Sequence, residues 1–507
     1  MQSKTLIGRK LKPQLSRHFC SLAQALGRAT VLPEMASHDE KAKKHVVIYA
    51  PPAMFSHLVP LVELGKLVAA HGLEVTVVLG GLTEDDAATV SWAEGTATAH
   101  PAGLSFHRLP HVPRPRDVPA HDYVAQTFAL ARASNSSLRD FLRAASPSRA
   151  SALVLDFYCG SAVDVGAELG IPTYFFYTSS ISGQAGLLYY PVVHETKTPR
   201  LRDHGVDHVQ VPGNPPIPAY DLPEENADSQ GNSLFLALGE QMCKSHGLIV
   251  NSFRSLEPRA ADAIVNGLCT PPGRRTPPLH CIGPLLKSEE ASANRLHECL
   301  DWLDAQPEAS VVYLCFGTLG RFSVEQTRQV ARGLERSGQR FLWVVRRPPG
   351  EDDMQKPADP DLDALLPYGF LARTKGKGLV VKSWAPQREV LAHAAVGGFV
   401  THCGWNSALE AIMGGVPMLA WPMYAEQRMN KVFLVEGLQL AVAVEGYNKE
   451  MVGDEEVATK VRWLMESDGG RELRERARVA MRRAKEALSD DGESRTSLLE
   501  LVEQWKS

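Results

Sequence analysis

The run from Trp384 to Gln427, WAPQREVLAHAAVGGFVTHCGWNSALEAIMGGVPMLAWPMYAEQ, carries Trp, Gly, His, Asn and Glu where a plain α/β core needs only aliphatic residues. At its centre Gly397 to Thr401 reads as a short buried strand and Gly404 to Met413 as a helix, so residues 402–407 form the strand-to-helix turn. A helix start presents unpaired backbone N–H groups and the positive end of the helix dipole, and both attract an anion such as a phosphate. Asn406, Ser407 and Glu410 fall on one helical face, because residues three and four apart are neighbours. Two neutral phosphate donors then sit one turn from a carboxylate suited to ribose hydroxyls. Trp384 adds a flat surface on which a base can stack. The pattern describes a pocket for a nucleoside diphosphate, with Glu426 and Gln427 left over for a sugar.

The rest of the chain supplies sheets to hold such a pocket. His45 to Ala50 is a β-branched run that turns at Pro51-Pro52 into a helix near His57 to Ala70, and Glu74 to Leu79 is the next strand. In a β-α-β opening of this kind ligands sit beyond the carboxyl ends of the strands. His57, the Asp156 that ends the strand at 153–156, and the Thr178 that ends the strand at 172–178 therefore converge on one crevice. At a helix start the dipole is expected to disfavour an imidazolium and keep His57 available as a neutral base. The Pro-rich segment Pro212 to Pro223 and residues 105–125 and 182–192 read as loops. A second β-α unit opens with Val311 to Phe316 and the Gly317-Thr318 turn. Further strands follow at 341–346, 379–382 and 418–421, with helices at 295–306, 388–394, 472–488 and 495–505. His393 reads as structural and Cys403 as a small buried spacer.

A chain of 507 residues is too long for one ordinary core, so two domains are expected. The boundaries are an extension at 1–44, a first domain at 45–284, a linker at 285–294, a second domain at 295–485 and a C-terminal helix at 486–507. A net charge of −4 and a pI near 6.5 give no footprint for nucleic acid. The cysteines at 20, 159, 243, 269, 281, 299, 315 and 403 are scattered singly, which suits a reducing cytoplasm. No run approaches the roughly 20 apolar residues that span a bilayer. Residues 1–34 hold six Lys or Arg and no acid before Glu34, the composition of a transit peptide. Taking Met35 as the working start instead places a polar leader directly before the first strand, and this reading is preferred.

The box from WAPQ through THCGWNS and GVPM to AEQ resembles the signature of plant family-1 glycosyltransferases, which move a sugar from a UDP-sugar to small secondary metabolites. VVYLCFGT at 311–318, LVLDFY at 153–158 and HLVP at 57–60 extend the resemblance over most of residues 45–507, closest to flavonoid and phenylpropanoid O-glucosyltransferases. It implies an α/β GT-B fold, two Rossmann-like domains facing across a cleft, with the acceptor in the first and UDP-sugar in the second. It implies His57 as the base that deprotonates an acceptor hydroxyl and Asp156 as the partner that orients it. Thr318, Trp384, Ala385, Gln387, His402, Gly404, Trp405, Asn406, Ser407, Glu410, Glu426 and Gln427 then bind UDP-sugar, and Thr178 touches the sugar. Gln427 implies glucose, its amide bridging two equatorial hydroxyls through donor and acceptor together. Thr318 stands where the family usually has Ser, and Ser56 where it has Gly. The expected reaction is inverting β-O-glucosylation of a phenolic by a monomer, with no metal and no cofactor beyond UDP-glucose. C-glycosylation and a non-catalytic UDP-sugar binder are the alternatives. A dinucleotide oxidoreductase fits poorly, since no G-x-G-x-x-G follows either opening strand.

Overall fold

The computed structural model describes residues 44–507 except 53, 83–85, 100–102, 120–121, 145–149, 197–207, 223–228, 288–296 and 351–358. The basic extension and its transit-peptide reading lie outside the described residues, as does most of the linker. The first half builds β1 (His45–Ala50), β2 (Glu74–Leu79), β3 (Leu104–Arg108), β4 (Ala152–Asp156) and β5 (Thr173–Tyr177). A two-stranded ribbon follows, β6 (His208–Val209) with β7 (Ile217–Pro218), then β8 (Gly247–Val250) and β9 (Leu279–Cys281). The second half contributes β10 (Val311–Cys315), β11 (Arg340–Val345), β12 (Gly378–Lys382), β13 (Val396–Thr401), β14 (Met418–Ala420) and β15 (Ala441–Ala443).

These strands form two all-parallel sheets, ordered β3-β2-β1-β4-β5-β8-β9 and β12-β11-β10-β13-β14-β15. Parallel sheets are covered on both faces, which is why VVIYA, ALVLD, TYFFY and VVYLC are continuous apolar runs without alternation. In the first sheet Val47, Tyr49, Leu153, Leu155 and Phe175 face one core. Val46, Ile48, Val154, Tyr174 and Phe176 face the other. That second face is closed by Leu58, Leu61, Val62 and Val68 of the helix Phe55–Ala70 and by Leu498, Leu501, Val502 and Trp505 of the last helix, Glu493–Lys506. Trp505 meets Tyr174 edge-on at 5.4 Å, so the end of the chain packs on the first sheet.

Strand order reverses between β1 and β4 in one sheet and between β10 and β13 in the other. A crevice opens at each reversal, because the connections leave in opposite directions. His57 follows β1 and Asp156 ends β4; Gly317-Thr318 follows β10 and His402 follows β13.

Several local expectations are corrected. Residues 182–192 lie inside a helix, Ile181–Thr196, because the buried carboxylate of Glu257 accepts from the N–H groups of Ile181 and Ser182 and caps its start. Residues 105–108 belong to β3, and Tyr123–Ala133 is a helix capped by Asp122. The Pro-rich segment is not wholly irregular: Ile217-Pro218 pairs with β6, and Ala219–Asp221 is a 3₁₀ turn. The helix expected at 295–306 is Glu298–Asp304, capped by His297. The helix expected from 472 starts at Asp468, because the Ser467 hydroxyl accepts from Gly470 and tolerates two glycines in the first turn. His393 lies just beyond Gln387–Ala392, its ring accepting from Ala395 N–H and meeting Asp304 at 3.1 Å.

The two halves are joined by buried polar contacts. Lys431 Nζ lies 2.6 Å from Asp221 Oδ2, and Tyr447 donates its hydroxyl to Asp221 Oδ1 at 2.7 Å, with the Lys431 ammonium 4.8 Å from the Tyr447 ring centre. Among the described residues no helix is long and apolar enough to cross a membrane.

Candidate active site

The helix after β1 begins at Phe55, so His57 is its third residue, not its first. Its Nδ1 lies 2.8 Å from Asp156 Oδ2. The other oxygen of Asp156 accepts the N–H of Tyr158 at 3.0 Å, so a fully buried carboxylate is held by two partners. With Nδ1–H donated to the carboxylate, the lone pair of His57 is on Nε2. Phe157 and Tyr158 lean on the imidazole with centroids 5.3 Å away. Thr178 is buried with its hydroxyl 3.4 Å from the same Nδ1, beside the pair.

The dipole argument for a depressed His57 pKa does not hold. Burial is the largest influence and opposes the charge, but the charge and hydrogen bond of Asp156, followed by the field of Glu426, outweigh it and raise the pKa above 6.5. Asp156 therefore makes His57 a stronger base than a free imidazole. Glu426 belongs to the second half of the chain, so its influence on His57 reaches across the two crevices.

On that side, β13 ends at Thr401 and the helix Trp405–Gly414 starts after a turn in which Cys403 takes the left-handed conformation at φ 66°. A non-glycine residue there needs support. Thr401 Oγ1 accepts the Cys403 N–H, and the fully buried Asn430 donates Nδ2 to the Cys403 carbonyl at 3.1 Å. Burial pushes the Cys403 thiol up, and it remains a spacer.

His402 is buried, and burial together with the charge of Arg346 pushes its pKa down to about 4, so the ring is neutral at pH 7. Its Nδ1 is buried without a partner, and an orphaned N–H costs more than an orphaned lone pair, so we assign the proton to Nε2. A methyl group on Gly317 or Gly404 would come within 2.5 Å of that Nε2. The two glycines thus make the room in which His402 presents its N–H. Thr318 is exposed in the turn after β10.

Gln387 opens the short helix after Ala385-Pro386 and donates Nε2 to Ser407 Oγ at 2.8 Å and to Glu410 Oε2 at 2.6 Å. The one-face arrangement of Ser407 and Glu410 is present. Burial pushes the Glu410 carboxyl up to about 7, against the Gln387 hydrogen bond and the charge of Arg388. Trp384 is half exposed and meets His297 edge-on at 5.7 Å, while Ala385 is buried.

Three side chains are engaged otherwise than expected. The Trp405 indole is buried and donates to the Asn251 carbonyl of the first half at 2.8 Å, which leaves its backbone N–H for a ligand. Asn406 donates Nδ2 to the Ser56 carbonyl at 2.9 Å. Gln427 is buried and its Oε1 accepts from the N–H groups of Met423 and Tyr424, so its amide cannot bridge two hydroxyls as donor and acceptor together. Only its NH₂ is outside that turn. Glu426 directly precedes Gln427 at the start of the helix Gln427–Val432.

Residues not foreseen are Thr401 and Asn430, which hold the left-handed turn, and Arg346, a cation at the end of β11. Only Arg346 had a sequence signal, as a charge closing an apolar strand. Among the described residues no group of three or more His, Cys, Asp or Glu is placed to hold a metal ion.

Residues 282–468 match the family model described as UDP-glucoronosyl and UDP-glucosyl transferase. UDP-glycosyltransferase 1 of Pueraria montana var. lobata is 43% identical over 479 residues, covering 92% of this chain and 99% of that protein. The anthocyanidin 5,3-O-glucosyltransferase of a Rosa hybrid cultivar is 41% identical, covering 91% and 98%. The structure of UGT2 from Phytolacca americana, complexed with UDP-2fluoro-glucose and pterostilbene, superposes with a TM-score of 0.80 at 33% identity, covering 92% of this chain and 100% of that one. Relatives this similar along nearly their whole length, on the same fold, mean that the chain belongs to the UDP-glucoronosyl and UDP-glucosyl transferase family and is a UDP-glycosyltransferase with the GT-B fold.

Proposed function

We propose that the protein transfers glucose from UDP-glucose to a hydroxyl of a flavonoid or another small phenolic, giving a β-O-glucoside with inversion. The observation that carries the reading is the buried Asp156–His57 pair at one strand-order reversal, set against the helix start at residues 404–407 at the other. Trp384, Ala385, Gln387 and Glu410 receive the uridine. Thr318, His402, Asn406, Ser407 and the N–H groups at Gly404 and Trp405 receive the diphosphate. Glu426, the NH₂ of Gln427 and Thr178 face the sugar.

Chemistry is a single displacement. Nε2 of His57 takes the phenolic proton as the oxygen bonds to the anomeric carbon, and UDP leaves with the electron pair of the broken C–O bond. Asp156 stabilises the imidazolium that forms. A phenol with a pKa near 10 needs no stronger base. The leaving diphosphate gains charge where neutral donors and a helix dipole already point, so no step is assigned to a metal. A monomer acting in the cytoplasm completes the proposal. The test is incubation with UDP-glucose and a panel of phenolics, read by mass spectrometry. A product heavier by one hexosyl unit supports the reading, and UDP binding without any such product would favour a non-catalytic binder.

A further inference from the structure

In an α-helix the carbonyl of residue i accepts the N–H of residue i+4. Four residues beyond Ser56 stands Pro60, inside the helix Phe55–Ala70, with no N–H to give and a ring that crowds that carbonyl. Ser56 therefore lacks the i+4 hydrogen bond to its oxygen, and Ser56 is the residue directly before His57. The partner it does have is Asn406 Nδ2, 2.9 Å away in the other half of the chain. Trp405 also reaches the first half, through Asn251, so two consecutive residues of the diphosphate-side helix grip the base-side domain. Asn406 Nδ2 has a second hydrogen, and one amide can serve the Ser56 carbonyl and an arriving diphosphate together.

We propose that Pro60 and Asn406 are a pair of positioning residues: the proline frees the carbonyl beside His57, and the amide takes it, registering the base against the sugar nucleotide. Pro60 touches no ligand in this scheme and acts only through the hydrogen bond it withholds. The inference rests on the role proposed for His57.

Pro60→Ala supplies the missing N–H and lets the carbonyl turn back into the helix. With UDP-glucose saturating, kcat on a phenolic acceptor should fall about fivefold, the weight of one ordinary hydrogen bond. UDP affinity by calorimetry should stay within about twofold of wild type, since the donor residues are untouched. The acid limb of the kcat profile should not move, because Asp156 still faces Nδ1 of His57. Asn406→Asp keeps the shape but cannot donate, and adding Pro60→Ala to it should lower kcat no further. A Pro60→Ala protein with wild-type kcat, or losses that multiply in the double variant, would overturn the proposal. If Pro60→Ala does not fold, hydrogen exchange on ligand-free Asn406→Asp decides: the amides of residues 55–59, 61 and 62 should exchange at least about threefold faster than in wild type, and equal rates reject the pairing. The exchange measurement needs no turnover, so it separates failure of this inference from failure of the glucosyltransferase reading, which wild-type inactivity on every phenol would show.

Discussion

Asp156→Asn is the perturbation on which the geometry speaks most directly. In the native pair one carboxylate oxygen accepts from Tyr158 N–H and the other faces His57 Nδ1 at 2.8 Å. An asparagine keeps the shape, and the Tyr158 N–H dictates its orientation, since only the amide oxygen can accept there. Its NH₂ must then face Nδ1. A nitrogen that receives a hydrogen bond carries no proton, so the imidazole is forced into the tautomer with hydrogen on Nε2, the atom that has to accept the phenolic proton. The base is abolished while the fold stays intact. Turnover should fall by at least about a hundredfold, and up to about ten-thousandfold, the range for loss of a positioned general base. The pH profile adds a sign. His57 must be neutral to act, and Asp156 raises its pKa, so wild-type kcat should fall as pH drops through a value above 6.5. Without the carboxylate, burial prevails, and any residual activity should keep its acid limb at lower pH. Stopped assays of kcat from acid to alkaline pH, with UDP binding measured calorimetrically on the same protein, supply both readings. A variant within tenfold of wild type, or an acid limb that moves upward, would refute the reasoning.

UDP affinity should weaken as pH falls below about 7, because Glu410 must be ionised to accept the ribose hydroxyls, and calorimetry in Glu410→Gln should show weaker binding without that dependence. Gly404→Ala keeps an ordinary φ of −63° but drives a methyl to within 2.5 Å of His402 Nε2, so UDP affinity should drop about tenfold or more, and the melting temperature should fall as well because overpacking a buried site costs about 1–3 kcal/mol. Lys431→Met leaves the fully buried Asp221 with only the Tyr447 hydroxyl and should destabilise the protein by about 3 kcal/mol, read from urea unfolding, whereas Tyr447→Phe should cost about 1 kcal/mol.

The strands were legible because parallel strands buried on both faces are unbroken apolar runs, and the turn at 402–407 was legible because polar residues between a strand and a helix have few other uses. What a residue touches across 150 or 350 positions is not written locally. Nothing beside Trp405 says that its indole is tied to Asn251, and nothing beside Asn406 says that its amide reaches Ser56. Gln427 misled for a similar reason: a side-chain carbonyl near its own backbone caps the preceding turn, and Met423 and Tyr424 claim it before any sugar can. The pKa of His57 was misjudged because the helix dipole is a small local effect beside a buried carboxylate at 2.8 Å.

The central claim is that His57 is the base and that the donor site stands independently of it. Turnover of UDP-glucose on a phenolic acceptor, measured for wild type and His57→Ala alongside UDP affinity on the same two preparations, tests it most directly. The account predicts a loss in turnover of at least about a hundredfold with UDP affinity unchanged within about twofold. A His57→Ala protein that keeps most of its turnover would contradict it.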